Sequence, residues 1–310
     1  MRNLIWILFV NFIYSGCAAL NKPKEIKITD KLRPPTQELN ELYVLLSSEA
    51  GAEKIGDLED KLKKKTFEHE LWRQYLLGLS LIKQNKASDA LNLYLMAYDQ
   101  FIKNVKHDKK DLRLILVVLE KIASIYTDQE KFEKAYLYNQ FRLSFAKGYG
   151  TIEEMYLSYA ASFKSSLALK NYLLSEYYLL EGINLIKKIE IAEVKYQLLA
   201  ESYRALSDLY LKMKNFKKAE DASLKSLISR KRLEKADGNG YKSLVFAYYE
   251  TGLFYEKYAK ELELIGKENF QIKRLALDAF KKAAKLGKDR DVSTIELKKI
   301  NNSIQRVKSI

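Results

Sequence analysis

The chain has 310 residues, of which 47% are hydrophobic and 30% charged, and its 54 Lys and Arg against 40 Asp and Glu give a formal net charge of +14. The apolar content is ample for a packed core. The 3 prolines all lie within the first 35 residues, so a residue that breaks helices is absent from the rest, which favours an all-α chain. With 1 cysteine, the chain can form no intramolecular disulfide.

The sequence lacks the residue patterns that catalysis and metal binding require. The two histidines, His69 and His107, lie in separate polar contexts, and no Cys/His cluster accompanies them. No Gly-rich phosphate loop and no Ser/His/Asp order are present, and carboxylate pairs such as Glu153 and Glu154 are expected by chance in Glu-rich helices. We therefore predict no enzyme, no cofactor, no metal and no small-molecule substrate.

The first 16 residues have the features of an export signal. Arg2 precedes an apolar stretch from Leu4 to Ile13, which is too short for a bilayer span of about 20 residues. The stretch ends in Tyr14-Ser15-Gly16-Cys17, where small residues precede the cysteine. This ending resembles a bacterial lipobox, of the relaxed kind found in spirochaete lipoproteins, although Tyr14 stands where Leu is commonest.

The lipobox resemblance implies that residues 1–16 are removed and that Cys17 is lipidated. Acyl chains would anchor the protein durably, because each buried CH₂ contributes about 0.8 kcal/mol. Residues 17–35 would then form a flexible tether, and the protein would lie on the periplasmic side of the inner or outer membrane. The alternative is an ordinary signal peptide that is cut nearby.

After a predicted N-terminal helical segment at 36–70, two stretches of the chain nearly repeat each other. YTDQEKFEKA begins at Tyr126, and YLKMKNFKKA begins at Tyr210. In each, a Tyr is followed six residues later by Phe and three residues after that by Ala. This spacing is typical of the turn and second-helix start of a helical hairpin repeat.

The repeated pattern resembles the tetratricopeptide repeat (TPR), with a small residue in each helix where the two pack closely. Five copies begin at residues 71, 116, 156, 200 and 245, which are steps of 45, 40, 44 and 45 against the usual step of about 34. The longer step is similar to that of kinesin light chains and response-regulator phosphatases. The resemblance implies a right-handed superhelical solenoid of about five hairpins over 71–287, closed by a capping helix within 288–310.

Two copies depart from the pattern. Phe163 occupies the small-residue position of the third copy, so we expect irregular packing there. In the fifth copy Gly252 and Ala276 are 24 residues apart, against 12 for Gly78 and Ala90, which predicts an insertion of about twelve residues around 261–270. In the capping helix, Ser293 and Glu296 have the spacing of a capping box, and Ile295, Ile300, Ile304 and Val307 share one side.

The TPR resemblance implies that the first helix of each hairpin lines a concave groove that binds partner proteins. The candidate groove residues are Trp72, Tyr75, Lys83, Glu120, Asp128, Lys164, Arg204, Asp208, Lys212, Tyr249, Glu256 and Lys257. For Trp72 and Tyr75 the alternative is packing against a helix within 36–50. For Arg204 and Asp208 the alternative is an ion pair within one helix.

These features predict a lipid-anchored scaffold that binds other envelope proteins, either in envelope or outer-membrane assembly or in recruiting cell-wall enzymes. A surface-exposed lipoprotein that binds host or extracellular ligands is the alternative. Nucleic acid is not an expected partner, because the export signal takes the protein out of the cytoplasm. The excess of Lys and Arg has two interpretations: a solvated helix surface, or attraction to an acidic partner or anionic lipid.

Overall fold

A computed structural model describes residues 32, 34–47, 60–62, 69–103, 109–237, 241–289 and 292–308. The predicted signal peptide, Cys17 and nearly all of the tether lie outside the described residues. Within these ranges all regular secondary structure is helical, which confirms the all-α fold class. The helices are α1 (Gln37–Ser47), α2 (Glu70–Lys83), α3 (Ala87–Lys103), α4 (Lys109–Asp128), α5 (Phe132–Tyr149), α6 (Ile152–Ala168), α7 (Tyr172–Ile186), α8 (Ala192–Lys212), α9 (Phe216–Asp237), α10 (Tyr241–Leu264), α11 (Phe270–Asp289) and α12 (Thr294–Lys308).

The helices from α2 to α11 pair into five antiparallel hairpins, divided between two compact units. The first unit, within Ile28–Gly182, holds α1, the hairpins α2/α3 and α4/α5, and the hairpin α6/α7 as far as Gly182 in α7. The second unit, from Ile183 to Ile310, holds the hairpins α8/α9 and α10/α11 and then α12. Within each unit neighbouring hairpins share a core, because one hairpin alone cannot bury its apolar side.

The same turn closes all five hairpins. Its central residue has a left-handed backbone, with φ of 59° at Asn85, 58° at Glu130, 57° at Lys170, 56° at Lys214 and 67° at Gly266. The next residue donates its backbone N–H to the carbonyl five positions back, as from Lys131 to Tyr126 at 2.8 Å and from Asn215 to Tyr210 at 2.9 Å. This arrangement satisfies the last carbonyls of the first helix. The twin sequence segments are therefore two copies of one turn.

Small residues let the two helices of a hairpin approach closely, as the pattern predicts. Ala90 and Ala135 are fully buried. At Gly78 a Cβ atom would overlap the ring of Tyr94, and at Gly252 it would lie 2.6 Å from the ring of Phe280. A large aromatic on the second helix thus occupies the space that the glycine leaves open.

In the third hairpin, two serines make the close contact. Phe163 is half-buried, whereas Ser166 on α6 and Ser175 on α7 are fully buried. Their hydroxyl oxygens are 2.9 Å apart. The contact is therefore made one helical turn beyond Phe163 and is polar.

The extra residues of the fifth hairpin are spread over both of its helices and its turn, and are not confined to the predicted region around 261–270. Past the small residue, α10 continues for twelve residues from Gly252 to Leu264, whereas α2 continues for five from Gly78 to Lys83. Before the next small residue, Ala276, α11 has six residues, against three before Ala90 in α3. The turn of the fifth hairpin has five residues, against three in the first, and supplies the remaining extra residues. The predicted length of the insertion is correct, but most of it is helical.

The last helix, α12, packs on the fifth hairpin. The predicted capping box is present: the Ser293 N–H donates to a Glu296 carboxylate oxygen at 3.2 Å, and the Glu296 N–H donates to the Ser293 hydroxyl at 3.4 Å. Ile300 and Val307 are buried and Ile304 packs beside Ile300, but Ile295 is exposed. The predicted apolar side is therefore wrong at Ile295, and in this first turn it is Leu297 that lies beside α11, at Gly287.

Candidate functional site

In the second unit, hydroxyl groups join the helices that surround the candidate site. The Ser207 hydroxyl on α8 donates to the Ala219 carbonyl on α9 at 2.8 Å, and the Ser226 hydroxyl on α9 donates to the Ala200 carbonyl on α8 at 2.8 Å. Serine is small enough to let α8 and α9 pack closely, and each hydroxyl donates to a backbone carbonyl of the opposite helix. The resulting scaffold fixes the relative positions of the charged side chains on α8 and α9.

A buried ion-pair cluster joins α8, α9 and α10. One carboxylate oxygen of Glu250 lies 3.2 Å from Arg204 Nε, and the other accepts a hydrogen bond from Arg230 Nη2 at 2.9 Å. The side chains of Arg230 and Glu250 are only 7% and 12% exposed. The Arg230 guanidinium also lies 4.7 Å from the centre of the Phe246 ring, so a cation–π contact adds to its ion pair.

A second ion pair, closer to solvent, connects α8 with α10, the first helices of their hairpins. Lys257 Nζ on α10 donates to Asp208 on α8 at 2.8 Å, and both side chains are partly exposed. Arg204 and Asp208 therefore each pair with a residue of α10, a contact that the expected ion pair within α8 does not include. We call the surface formed by Arg204, Asp208, Glu250 and Lys257 the α8–α10 face.

A cleft of about 50 Å³ opens on the α8–α10 face. Small-molecule sites in proteins are typically about 300–1,000 Å³. This cleft therefore has room for water or the tip of one side chain. Its polar lining includes Ser207, Ser223, Ser226 and Thr251 beside the four charged residues of the face.

The other candidates of the second unit lie around this face or apart from it. Lys212 is exposed at the end of α8, and Tyr249 is half-buried with its ring centre 5.6 Å from that of Phe280. Glu256 is buried on another side of α10, where both of its oxygens accept hydrogen bonds from Arg306 of α12 at 2.7 Å. Burial alone would raise the pKa of Glu256, but the hydrogen bonds from Arg306 and Lys260 outweigh burial and hold this pKa below its usual value. Glu256 therefore fastens α12 and is not part of the α8–α10 face.

In the first unit, the two aromatic candidates are core residues. Trp72 and Tyr75 are only 1% and 3% exposed and belong to one apolar cluster with Leu39, Leu42 and Leu46 of α1. The alternative, packing against the preceding helix, is therefore confirmed, and the prediction that these aromatics line an open groove is corrected. The physical reason is that α1 covers the first helix of the first hairpin.

The charged candidates of the first unit differ in their exposure. Glu120 on α4 accepts a hydrogen bond from the buried Arg142 on α5 at 2.6 Å. Asp128 and Lys164 are exposed and Lys83 is half-exposed. A binding role for these four residues stays a prediction.

Sequence reasoning missed Glu250 and Arg230. Glu250 lies one position after Tyr249, outside the set of positions that the TPR resemblance directs into the groove. Arg230 is on a second helix, which that resemblance leaves out altogether. One signal was available: Arg230 follows Ala222 and Ser226 and precedes Leu233 at the spacing of buried positions on α9. A charged residue at such a position requires a partner.

In the described part of the chain, no three His, Cys, Asp or Glu side chains converge so that they could hold a metal ion. Among the helices of the described ranges, none is both long enough and apolar enough to span a bilayer.

Comparison with solved structures supports the fold. BtubC (BKLC) from P. vanneervenii is similar with a TM-score of 0.55 and 16% identity, over 81% of this chain and 93% of that one. The apo form of RapI has a TM-score of 0.52 and 13% identity, over 86% and 95% of the two chains. Aspartyl phosphate phosphatase F from Bacillus subtilis also has 0.52 and 13%, over 99% and 73%. No family model and no curated protein sequence matches the chain.

Proposed function

We propose that this protein is a protein-binding scaffold that receives partner segments on the α8–α10 face. The observation that carries the proposal is the pair of cross-helix ion pairs, Arg204 with Glu250 and Asp208 with Lys257, around a cleft too small for a metabolite. The similarity in fold to TPR-type proteins agrees with a scaffold role, because such folds are generic binding surfaces.

The ion pairs prepare the α8–α10 face for a partner before binding. Glu250 is held by Arg204 and Arg230 together, so little side-chain freedom is lost when Arg204 contacts a ligand. Asp208 and Lys257 each retain exposed surface and present an acceptor and a donor side by side. The side chains of a partner segment could extend this network while one of them enters the cleft, and the rigid helices would set the register.

We further propose that the scaffold is anchored through lipid on Cys17 and acts at the cell envelope, on the periplasmic side. The support is the sequence of residues 1–17, in which an apolar stretch too short to span a bilayer leads into small residues and the lone cysteine. Partners would then be other envelope proteins.

The binding proposal predicts the effect of exchanging two charges. In the double variant Asp208→Lys with Lys257→Asp, the ion pair is kept but its direction is reversed. Because an exposed pair contributes at most about 1 kcal/mol, thermal unfolding should change little. We expect partner capture to fall at least tenfold, since the partner now meets the wrong sign at both positions. Capture is measured by crosslinking the purified protein, with a photoreactive group at Lys212, to native envelope membranes.

The matched control exchanges Asp221 and Lys225, an exposed pair on α9 with a separation of 2.6 Å. This exchange should leave capture at the wild-type level. If the Asp208/Lys257 exchange captures the same partners as wild type, the α8–α10 face is not the binding site.

The anchoring proposal predicts that Cys17→Ala moves the protein out of the membrane fraction. Without the thiol no acyl chain can be attached, and the protein should pass from the detergent phase to the aqueous phase in a phase-partitioning experiment. Ser15→Ala, which keeps the cysteine and a small residue before it, serves as the control. Partitioning of Cys17→Ala into detergent as strongly as the control would contradict lipidation.

A further inference from the structure

Basic residues are concentrated on two helices of the second unit. Together α9 and α11 carry 13 Lys and Arg but only 6 Asp and Glu, so these two helices account for half of the formal net charge of +14. Both are second helices of their hairpins, and the α8–α10 face is formed by the first helices and does not include them. This excess calls for a cause beyond general solubility.

Contacts with one tyrosine show that the basic side chains of α9 and α11 converge. Lys231 Nζ of α9 lies 5.6 Å from the centre of the Tyr248 ring, and Lys282 Nζ of α11 lies 5.9 Å from the same ring centre. Because α9 and α11 run in the same direction, the next turn of each adds Lys235 and Lys285 beyond these two. We define the basic face as Lys231, Arg232, Lys235, Lys281, Lys282 and Lys285, all of which are exposed.

Within the described part of the chain, no ion pair neutralises the charges of the basic face. Among the residues that the structure describes, none of its six members has a carboxylate within ion-pair distance. Arg232 is instead 5.8 Å from the centre of the Tyr196 ring. On the same exposed side of α9, Asp221 is already paired with Lys225 at 2.6 Å. The basic face therefore presents a positive potential to solvent.

Exposed apolar side chains continue this surface toward the start of α9. Leu224 and Ile228 are 43% and 48% exposed, and they share one stripe with Lys231 and Lys235 at the spacing of helical turns. Leu275 is exposed on α11 as well. Apolar residues beside lysines are typical of a helix that lies in a membrane interface. There the apolar side chains enter the boundary between headgroups and acyl chains, and the lysines contact phosphate groups.

We propose that the basic face docks on an anionic lipid bilayer, with Leu224 and Ile228 entering the headgroup region. The choice of lipid among polyanions rests in part on the proposed lipid anchor, because acylation and a basic surface together hold a protein at a membrane more firmly than either alone. Each Lys or Arg close to an anionic bilayer contributes about five-fold in partitioning, or ~1 kcal/mol. The α8–α10 face, formed by the first helices, stays available to partner proteins.

The test uses the purified full-length Cys17→Ala chain, which cannot be acylated, and sedimentation with vesicles. One set of vesicles contains equal parts of phosphatidylglycerol and phosphatidylcholine, and the other contains phosphatidylcholine alone. The test variant carries Lys→Gln at 231, 281, 282 and 285. The control variant carries Lys→Gln at 86, 103, 131 and 170, four exposed lysines of the first unit, and has the same net charge.

We expect the starting chain and the control to bind anionic vesicles equally and neutral vesicles weakly. The test variant should lose roughly 600-fold in partitioning, since each of its four lysines contributes about five-fold, with unchanged thermal unfolding because its four positions are exposed. Equal binding of the two variants would overturn the proposal, as would failure of the starting chain to bind anionic vesicles. Tighter binding to double-stranded DNA or to polyglutamate than to vesicles would assign the face to that polyanion instead. Since the assay needs neither acylation nor a partner protein, its result is independent of both parts of the proposed function.

Discussion

Replacing Glu250 by alanine should destabilise the second unit by about 3 kcal/mol. The change leaves the Arg230 guanidinium, which is buried and pairs with Glu250 at 2.9 Å, without its carboxylate partner. Loss of one partner of a buried ion pair costs more than the pair itself contributes, because the remaining charge stays desolvated. We place the effect at the low end of the usual range because Arg204, the other partner of Glu250, is 28% exposed and can reach water. Urea unfolding measures the loss.

Two further variants separate charge from packing. Asp221→Ala removes an exposed carboxylate that pairs with Lys225 within one helix, and it should cost only about 0.5 kcal/mol. Adding Arg230→Met to Glu250→Leu should recover most of the stability, since apolar residues can replace a buried pair without loss. If Glu250→Ala costs no more than Asp221→Ala, the cluster is not the buried ion pair that the structure describes.

Gly252→Ala should lower the unfolding free energy by roughly 1–2 kcal/mol, although alanine is the better helix former. In an open helix this change would stabilise by up to about 1 kcal/mol. Here the new Cβ would lie 2.6 Å from the ring of Phe280, which is fully buried and cannot move aside freely. Overpacking of this kind typically costs about 1–3 kcal/mol, so the clash should outweigh the gain in helix propensity.

Gly148→Ala is the matched control for this prediction. Gly148 also lies in a helix, but a Cβ there meets no atom within 4 Å. Alanine should therefore raise the thermal midpoint slightly at this position. A stabilising effect at both glycines would mean that the two helices of the fifth hairpin are not in the close contact described.

The sequence predicted the hairpins well because the signal for each turn is local. Tyr126 and Lys131, or Tyr210 and Asn215, are joined by a backbone hydrogen bond within a single turn, so the same spacing recurs wherever the turn does. The length of the insertion in the fifth hairpin followed from the same spacing. Its helical form did not, because the residues after Gly252 continue the helix without a sequence signal that marks an end before Leu264.

The candidate site was less predictable because it depends on contacts between distant residues. Trp72 matches a groove position, but its burial is decided by α1, about thirty residues earlier, whose place in the fold no repeat pattern specifies. Arg204 and Asp208 are one turn apart on α8, which favours a pair within the helix, yet each also pairs with a residue of α10, Arg204 with Glu250 and Asp208 with Lys257. Such competition is settled only once α8 and α10 are side by side.

The extra turns of the fifth hairpin have a consequence for any attempt to shorten, extend or recombine this array. Two residues after Gly252 contribute to the contact with α12. Glu256 pairs with Arg306, and Ala259 lines a space of about 10 Å³ together with Val307 of α12. In the first hairpin the position equivalent to Ala259 is Asn85, which is already in the turn. A hairpin of ordinary length therefore has no helical residue in the place of Ala259 to lie beside Val307 of α12. For protein engineering, hairpins one to four all have a three-residue connection and can be treated as exchangeable modules, whereas the fifth hairpin and α12 must be transferred as one cassette.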